Sequence, residues 1–398
     1  MRRVWTAALT AAAVTATIAV ATPAQAATGS ISTAVSQYTY HSGEGVVITG
    51  GVKVGGAARS GVKVTLVRVA SSGKESSIAT TKTSSTGRYA LPMSPTGGTA
   101  RYYVKASSPA LKGRTVKITW TRDGGGLRER EKQIASRLGT PKTGLRTVSA
   151  ATTRKADSSA SRIRYRDYSK GMLVEVTRKG VTRTWFVPSK IRNRLLATGG
   201  FGKTFGVPRR DARCVVIESG CVQTFSKVTV YQNASKKTAY YQAGTSRRSQ
   251  LLAVARSQVG YDEPGWRKAK YNKWAGLTGP WCATFVAWVA AASGNPGLVE
   301  NRGEFGRMVA YAKAEMRTYG RGSKKYSPRP GTLVFFDNYR RSPKKPSHAG
   351  IYLGRSGKNG IRVIEGNSSP GATFTSDRGV HVHTRSLSTV VFYADPAW

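Results

Sequence analysis

The sequence predicts a multidomain chain: an all-β sandwich first, small β-rich repeats in the middle, and an α+β domain at the C-terminus. Three observations carry this expectation. Over 27–122, short Val/Thr/Tyr-rich runs are separated by Gly/Ser/Pro clusters, the spacing of a small sandwich. Beyond residue 123, two stretches share motifs, and internal repetition implies stacked small units rather than one core. From Arg248 onward, apolar residues at helical spacing precede a group of strands, the order of an α+β domain.

The N-terminus is read first because it is expected to be removed. Met1-Arg-Arg is a positive n-region, Val4 to Ala21 is apolar and uncharged, and Ala24-Gln25-Ala26 is a small-x-small cleavage site. Residues 1–26 therefore read as a secretory signal peptide, and the mature chain is expected to be secreted, extracellular or wall-associated. No later segment is apolar for long enough to span a bilayer. Lys and Arg number 64 against 19 Asp and Glu, a net charge of +45 that draws the surface to polyanions. These cations are spread along the whole chain, which suits retention on a charged wall and argues against sequence-specific nucleic-acid reading. The chain is expected to be a monomer.

Within 27–122, strands are expected at Gly45–Thr49, Val62–Val69, Ser77–Thr83, Ala100–Ala106 and Thr115–Thr121. Gly61-Val-Lys-Val-Thr-Leu and Thr86-Gly-Arg-Tyr-Ala-Leu resemble bacterial Ig-like wall-protein modules, which implies an Ig-like sandwich with an adhesive or spacer role. Asp123-Gly-Gly-Gly follows as a hinge.

The repeats are expected at about 127–189 and 190–247. Leu138-Gly-Thr-Pro answers Phe205-Gly-Val-Pro, and Tyr168-Ser-Lys answers Phe225-Ser-Lys. The second copy, with Gly199-Gly-Phe-Gly-Lys-Thr-Phe-Gly-Val-Pro and Gly220-Cys-Val-Gln-Thr-Phe, resembles the LGFP repeat of secreted wall-associated proteins. A stalk and a wall-glycan binder are both open readings of these units. Cys214 and Cys221 lie seven positions apart around a Ser219-Gly220 turn, so a disulfide is expected. Closing so short a loop stabilises by roughly 2–3 kcal/mol in the chain-entropy model.

That pairing leaves Cys282 as an odd thiol, and an odd thiol in a secreted protein points to intermolecular pairing or reactivity. In the 248–398 domain, helices are expected at Ser249–Val259, Pro280–Ser293 and around Phe305–Met316. Strands are expected at Thr332–Phe336, Ala349–Leu353, Arg362–Glu365, Gly379–His383 and Val390–Tyr393. With Pro280 at the first helical position, Cys282 falls in the first turn, where the helix dipole and free backbone N–H groups favour a thiolate and can hold an oxyanion. Trp281, Phe285, Trp288 and Ala292 form the neighbouring apolar stripe. Trp281 and, in the 266–274 loop, Trp266 are the substrate-binding candidates. A thiol nucleophile needs a base and the base an orienter. His348 opens a strand, and a hairpin to Val363-Ile-Glu365-Gly-Asn367 would bring Glu365 or Asn367 beside it.

The order Trp-Cys-Ala-x-Phe-Val, Pro-Gly-x-Leu-Val-Phe-Phe, His-Ala-Gly-Ile and Glu-Gly-Asn resembles the CHAP family of papain-like amidases and peptidases. Ala255-Arg-Ser-Gln-Val-Gly-Tyr-Asp-Glu and Lys270-Tyr-Asn-Lys-Trp fit as well, so the likeness covers about Leu251 to Tyr393. It implies Cys282 as nucleophile, His348 as general base and then acid, Glu365 as orienter and Asn367 as a further polar site residue. The implied substrates are peptidoglycan amides, between muramic acid and L-alanine or within peptides. Thr332 stands where the family often has Asp after Pro-Gly, a position expected to be structural. The related NlpC/P60 family uses a second His about a dozen residues after the first, where this chain has Gly360. No cofactor and no metal are expected: His381 and His383 lack partners at ligand spacing, and no acidic calcium loop occurs. The competing expectation is a non-catalytic basic protein that binds wall or other polyanions.

Overall fold

The computed structural model describes residues 29–35, 39–41, 46–93, 99–121, 126–235, 237–265, 268–300, 303–339, 345–370 and 379–398. The signal peptide, most of the 123–126 hinge and Trp266 lie outside them. The chain is β-rich, with several separate sheets.

Alternating apolar residues build the N-terminal unit. One sheet holds Gly29–Val35, Val46–Val54, Ala57–Ala58 and Arg88–Met93; the other holds Thr39–His41, Lys63–Val69, Glu75–Lys82, Ala100–Ser107, Ala110–Lys112 and Val116–Thr121. Ile48 and Val52 of the first sheet share a buried core with Val64, Leu66, Val104 and Ile118 of the second, which makes a sandwich. All five expected strands are present. The first sheet also contains three strands the expectation lacked, Gly29–Val35, the short Ala57–Ala58 and Arg88–Met93.

The middle of the chain repeats in three dimensions (residues 127–247). Each copy carries a four-stranded antiparallel sheet: Arg146–Thr147, Ala160–Tyr168, Gly171–Arg178 and Val181–Pro188, then Arg213–Val216, Gly220–Thr224, Val228–Gln232 and Tyr240–Ala243. The matched motifs form the same clasp in both. Pro141 bridges Tyr168, and Pro208 bridges Phe225. The Ser169 hydroxyl accepts from Thr140 N at 3.1 Å, and the Ser226 hydroxyl accepts from Val207 N at 3.0 Å. Gly139 (φ 71°, ψ −158°) and Gly206 (φ 72°, ψ −146°) share one backbone conformation that essentially only glycine adopts. The disulfide Cys214–Cys221 is formed across the second copy's first hairpin.

The copies do not keep separate cores. Ile163, Val174 and Trp185 of the first are buried together with Phe205, Phe225 and Val230 of the second. Val222 and Tyr231 of the second copy belong in turn to the core of the C-terminal region, with Leu251, Trp288 and Phe335. A β-sheet has two faces, and here each face of the small sheet is covered by a different neighbour.

The C-terminal region has helices Arg247–Gln258, Lys270–Ala275, Cys282–Ala292 and Phe305–Glu315 ahead of a six-stranded antiparallel sheet. Its spatial order is Arg317–Tyr319, Val390–Asp395, Leu333–Phe336, His348–Ser356, Gly360–Ser368, Gly379–Ser386. The three expected helices and five expected strands are present; the short Lys270–Ala275 helix and Arg317–Tyr319 edge strand are additional. Every residue of the Cys282–Ala292 helix is buried, because its Ala/Val/Trp-rich sequence offers no polar face. Thr332 is fully buried and donates to Asp395 at 3.1 Å, beside the Arg248–Asp395 ion pair, which is the structural role expected of it.

Candidate active site

Cys282 is the first residue of its helix, with Trp281 as the N-cap, so Pro280 lies outside the helix rather than at its first position. The consequence for Cys282 is the one expected. Its side chain sits in the first turn, at the positive end of the dipole. It is the free cysteine of the chain and is 3% exposed.

His348 opens the strand His348–Ser356, which pairs antiparallel with Gly360–Ser368. Of Glu365 and Asn367, this hairpin sets Glu365 beside His348. His348 Nε2 lies 2.9 Å from Glu365 Oε2, and Gly350 leaves the room for it, since a Cβ there would stand 3.0 Å from Glu365 Cγ. With Nε2 engaged, Nδ1 is the nitrogen left for the hydrogen bond with Cys282. The helix N-terminus and two neighbouring strands thus bring the three predicted residues together.

Both ring and carboxyl are buried, His348 at 4% and Glu365 at 0% exposure. Burial by itself would strip His348 of its proton. The charge and hydrogen bond of Cys282, followed by those of Glu365, outweigh it and push the imidazole up to about 10. Burial likewise works to raise Glu365, but hydrogen bonds from Arg385 and then His348 hold it down at about 2. The arrangement favours a protonated imidazole braced by an ionised carboxylate.

Arg385 is the residue the sequence reading missed. It is 3% exposed and grips Glu365 with both arms, Nε to Oε1 and a terminal nitrogen to Oε2, each at 2.8 Å. A signal was present: His381, His383 and Arg385 alternate along one strand, and such a polar stripe opposite a buried Glu calls for an explanation. His383 donates to or accepts from the Ser368 hydroxyl at 3.1 Å.

The other predicted residues are placed differently. Asn367 sits at a bulge between Gly366 and Ser368 with φ 60°, half-buried, and makes no hydrogen bond with His348. Trp281 is 1% exposed, stacked on Tyr271 with ring centroids 5.0 Å apart, its indole N–H directed at Glu263 3.3 Å away. It is therefore part of the core under the site and offers no open face to a substrate. Among the described residues, no three His, Cys, Asp or Glu side chains are grouped to hold a metal, and no helix is long and apolar enough to cross a membrane.

No family model matches the sequence, and no curated protein does. Among solved structures, the D00-D0 domain of intimin is similar over 24% of this chain and 48% of its own, at 19% identity and a TM-score of 0.18. The alkylpurine DNA glycosylase AlkC of Pseudomonas fluorescens, bound to DNA containing an abasic site analog, is similar over 24% of this chain and 30% of its own, at 12% identity and a TM-score of 0.18. The chain thus spans half or less of either structure, and neither likeness bears on fold or function.

Proposed function

We propose that the chain is a secreted, papain-like hydrolase of CHAP type that cuts amide bonds in bacterial peptidoglycan. The observation that carries this reading is the buried Cys282–His348–Glu365 line at a helix N-terminus. In the proposed reaction, Cys282 Sγ attacks the amide carbonyl, and first-turn backbone N–H groups hold the oxyanion. The His348 imidazolium then delivers its proton to the departing amine, leaving a thioester on Cys282. Neutral His348 takes a proton from water, hydroxide attacks the thioester carbonyl, and the free acid leaves as the thiol regains its pairing. Glu365 holds the ring in the orientation both steps need. The signal-like N-terminus and the charge of +45 support the wall, a carboxylate-rich polymer outside the cell, as substrate.

The test is to incubate purified wall with wild type and with Cys282→Ala, then identify the released fragments by mass spectrometry. New amino termini produced by the wild type only are the expected result. The same spectra distinguish a muramoyl-alanine amidase from an endopeptidase. Equal retention on the wall with no fragments from either protein would replace the enzyme with a polyanion-binding protein.

A further inference from the structure

We infer that Arg385 is a positioning residue of this site, the fourth member of a line Arg385–Glu365–His348–Cys282. The inference rests on the proposed reading that Cys282 is the nucleophile, and it adds a group outside the three residues of that reading. The geometry is a two-armed grip. Arg385 takes one lone pair from each oxygen of Glu365 at 2.8 Å, and Oε2 keeps another for His348 Nε2 at 2.9 Å. A guanidinium fork matches a carboxylate in this way and a lysine ammonium does not.

The grip settles two things at once. It fixes the plane of the carboxylate, and through it the direction in which the imidazole presents Nδ1 to the thiol. It also supplies the charge that lets a carboxylate at 0% exposure stay ionised. Four charges then alternate along the line, positive, negative, positive, negative, with no net charge buried. Without Arg385 the remaining three would carry a net negative charge in the protein interior. The least costly relief is for Glu365 to take up a proton, which would release the imidazolium and with it the thiolate. The other titratable groups facing Glu365 are His381, its cross-strand partner, and His383 on the same strand. Burial lowers His383, so it is a poor substitute for the guanidinium charge.

Cys282 is the free thiol, so its alkylation by iodoacetamide reports thiolate directly and needs no wall substrate. The measurement is alkylation rate against pH from 4 to 10 for the full chain, with near-UV circular dichroism as the check on folding. In Arg385→Leu the midpoint should rise by about one pH unit or more relative to wild type, a loss of about tenfold in rate on the acid side of the curve that closes on its alkaline side. Arg385→Lys, which keeps the charge and loses the fork, should fall between the two. If the Leu variant does not fold, the Lys variant decides: a raised midpoint supports the role. A folded variant with the wild-type midpoint overturns it. A reactivity reduced by the same factor at every pH, in step with the unfolded fraction, also overturns it, leaving only a structural contribution. Failure of the wild type to release wall fragments would count against the substrate and leave this result standing.

Discussion

Substituting Gly206 with alanine tests whether the repeated clasp is a stability determinant. Two separate costs follow from its surroundings. The backbone at φ 72° and ψ −146° is a region that residues with a Cβ essentially avoid, which costs about 1–3 kcal/mol. The new methyl would also press into Ser226 Oγ and stand 2.8 Å from Ala156 O, displacing a hydroxyl that donates to that carbonyl at 2.8 Å and accepts from Val207 N at 3.0 Å. Crowding of this kind costs about 1–3 kcal/mol more, for a sum of about 2–6 kcal/mol. Gly200 is the internal control. Its backbone is almost the same, φ 73° and ψ −157°, but a Cβ there meets nothing within 4 Å, so Gly200→Ala carries the backbone cost alone. Hydrogen exchange read by mass spectrometry on peptides spanning 201–208 and 222–230 reports local opening without assuming a single unfolding transition. The amides of Val207 and Ser226 should exchange at least about 30-fold faster in Gly206→Ala, and the acceleration should exceed that caused by Gly200→Ala. Equal effects of the two substitutions would refute the crowding argument. The same substitution at Gly139, where a methyl would meet Ser169 Oγ, should reproduce the result in the first copy if the two clasps are equivalent.

Two other outcomes follow from the site and the shared core. His348 is raised from 6.5 to about 10, so its contribution to stability is fully present below pH 6.5 and is lost as pH rises through 10; Glu365 is lowered from 4.5 to about 2, so its contribution is fully present above pH 4.5 and is lost as pH falls through 2. The gap in Tm between wild type and His348→Gln should therefore be widest at pH 4.5–6.5 and shrink toward pH 10, and a gap that stays constant from pH 5 to 10 would contradict the assignment. An isolated 248–398 fragment should lack cooperative unfolding in near-UV circular dichroism, because it leaves behind Val222, Tyr231 and the Arg213 hydrogen bond to Ser293 O, whereas 127–398 should retain it; a cooperative 248–398 fragment with the full chain's Tm would contradict the shared core.

The features that could be read from sequence are those whose signals are local. Strand periodicity marked the sandwich, Gly-x-Pro and aromatic-Ser-Lys marked both clasps, and the unpaired thiol led to Cys282. His348 and Glu365 followed because a single hairpin separates them, and hairpin pairing is a short-range inference. Arg385 lies 20 residues beyond Glu365, one cation among 64; the register sets it opposite Ile361, and its long side chain reaches along the strands to the carboxylate. Asn367 misled for the converse reason: it is two residues from Glu365, but a bulge with positive φ breaks the alternation that would have placed it on the same face. Trp281 was ambiguous between platform and core, because an aromatic beside a nucleophile has the same local pattern in either role. The Lys270–Ala275 helix is too short for a 3.6-residue period to emerge, and the merging of repeat and C-terminal cores depends on which sheet faces meet.

The order of strands in the C-terminal sheet has a consequence for when the site comes into being. Val390–Asp395, which follows every other strand of the sheet in the sequence, is not an edge strand; it lies between Arg317–Tyr319 and Leu333–Phe336, next but one to the strand that His348 opens. A chain emerging from its N-terminus has made Cys282 and His348 long before this strand exists, yet the sheet beneath them stays divided until it arrives. Arg385 too is made after Cys282, His348 and Glu365. A chain cut after Glu365 would thus carry the thiol, the imidazole and the carboxylate without the strand that joins the sheet beneath them or the guanidinium that holds Glu365.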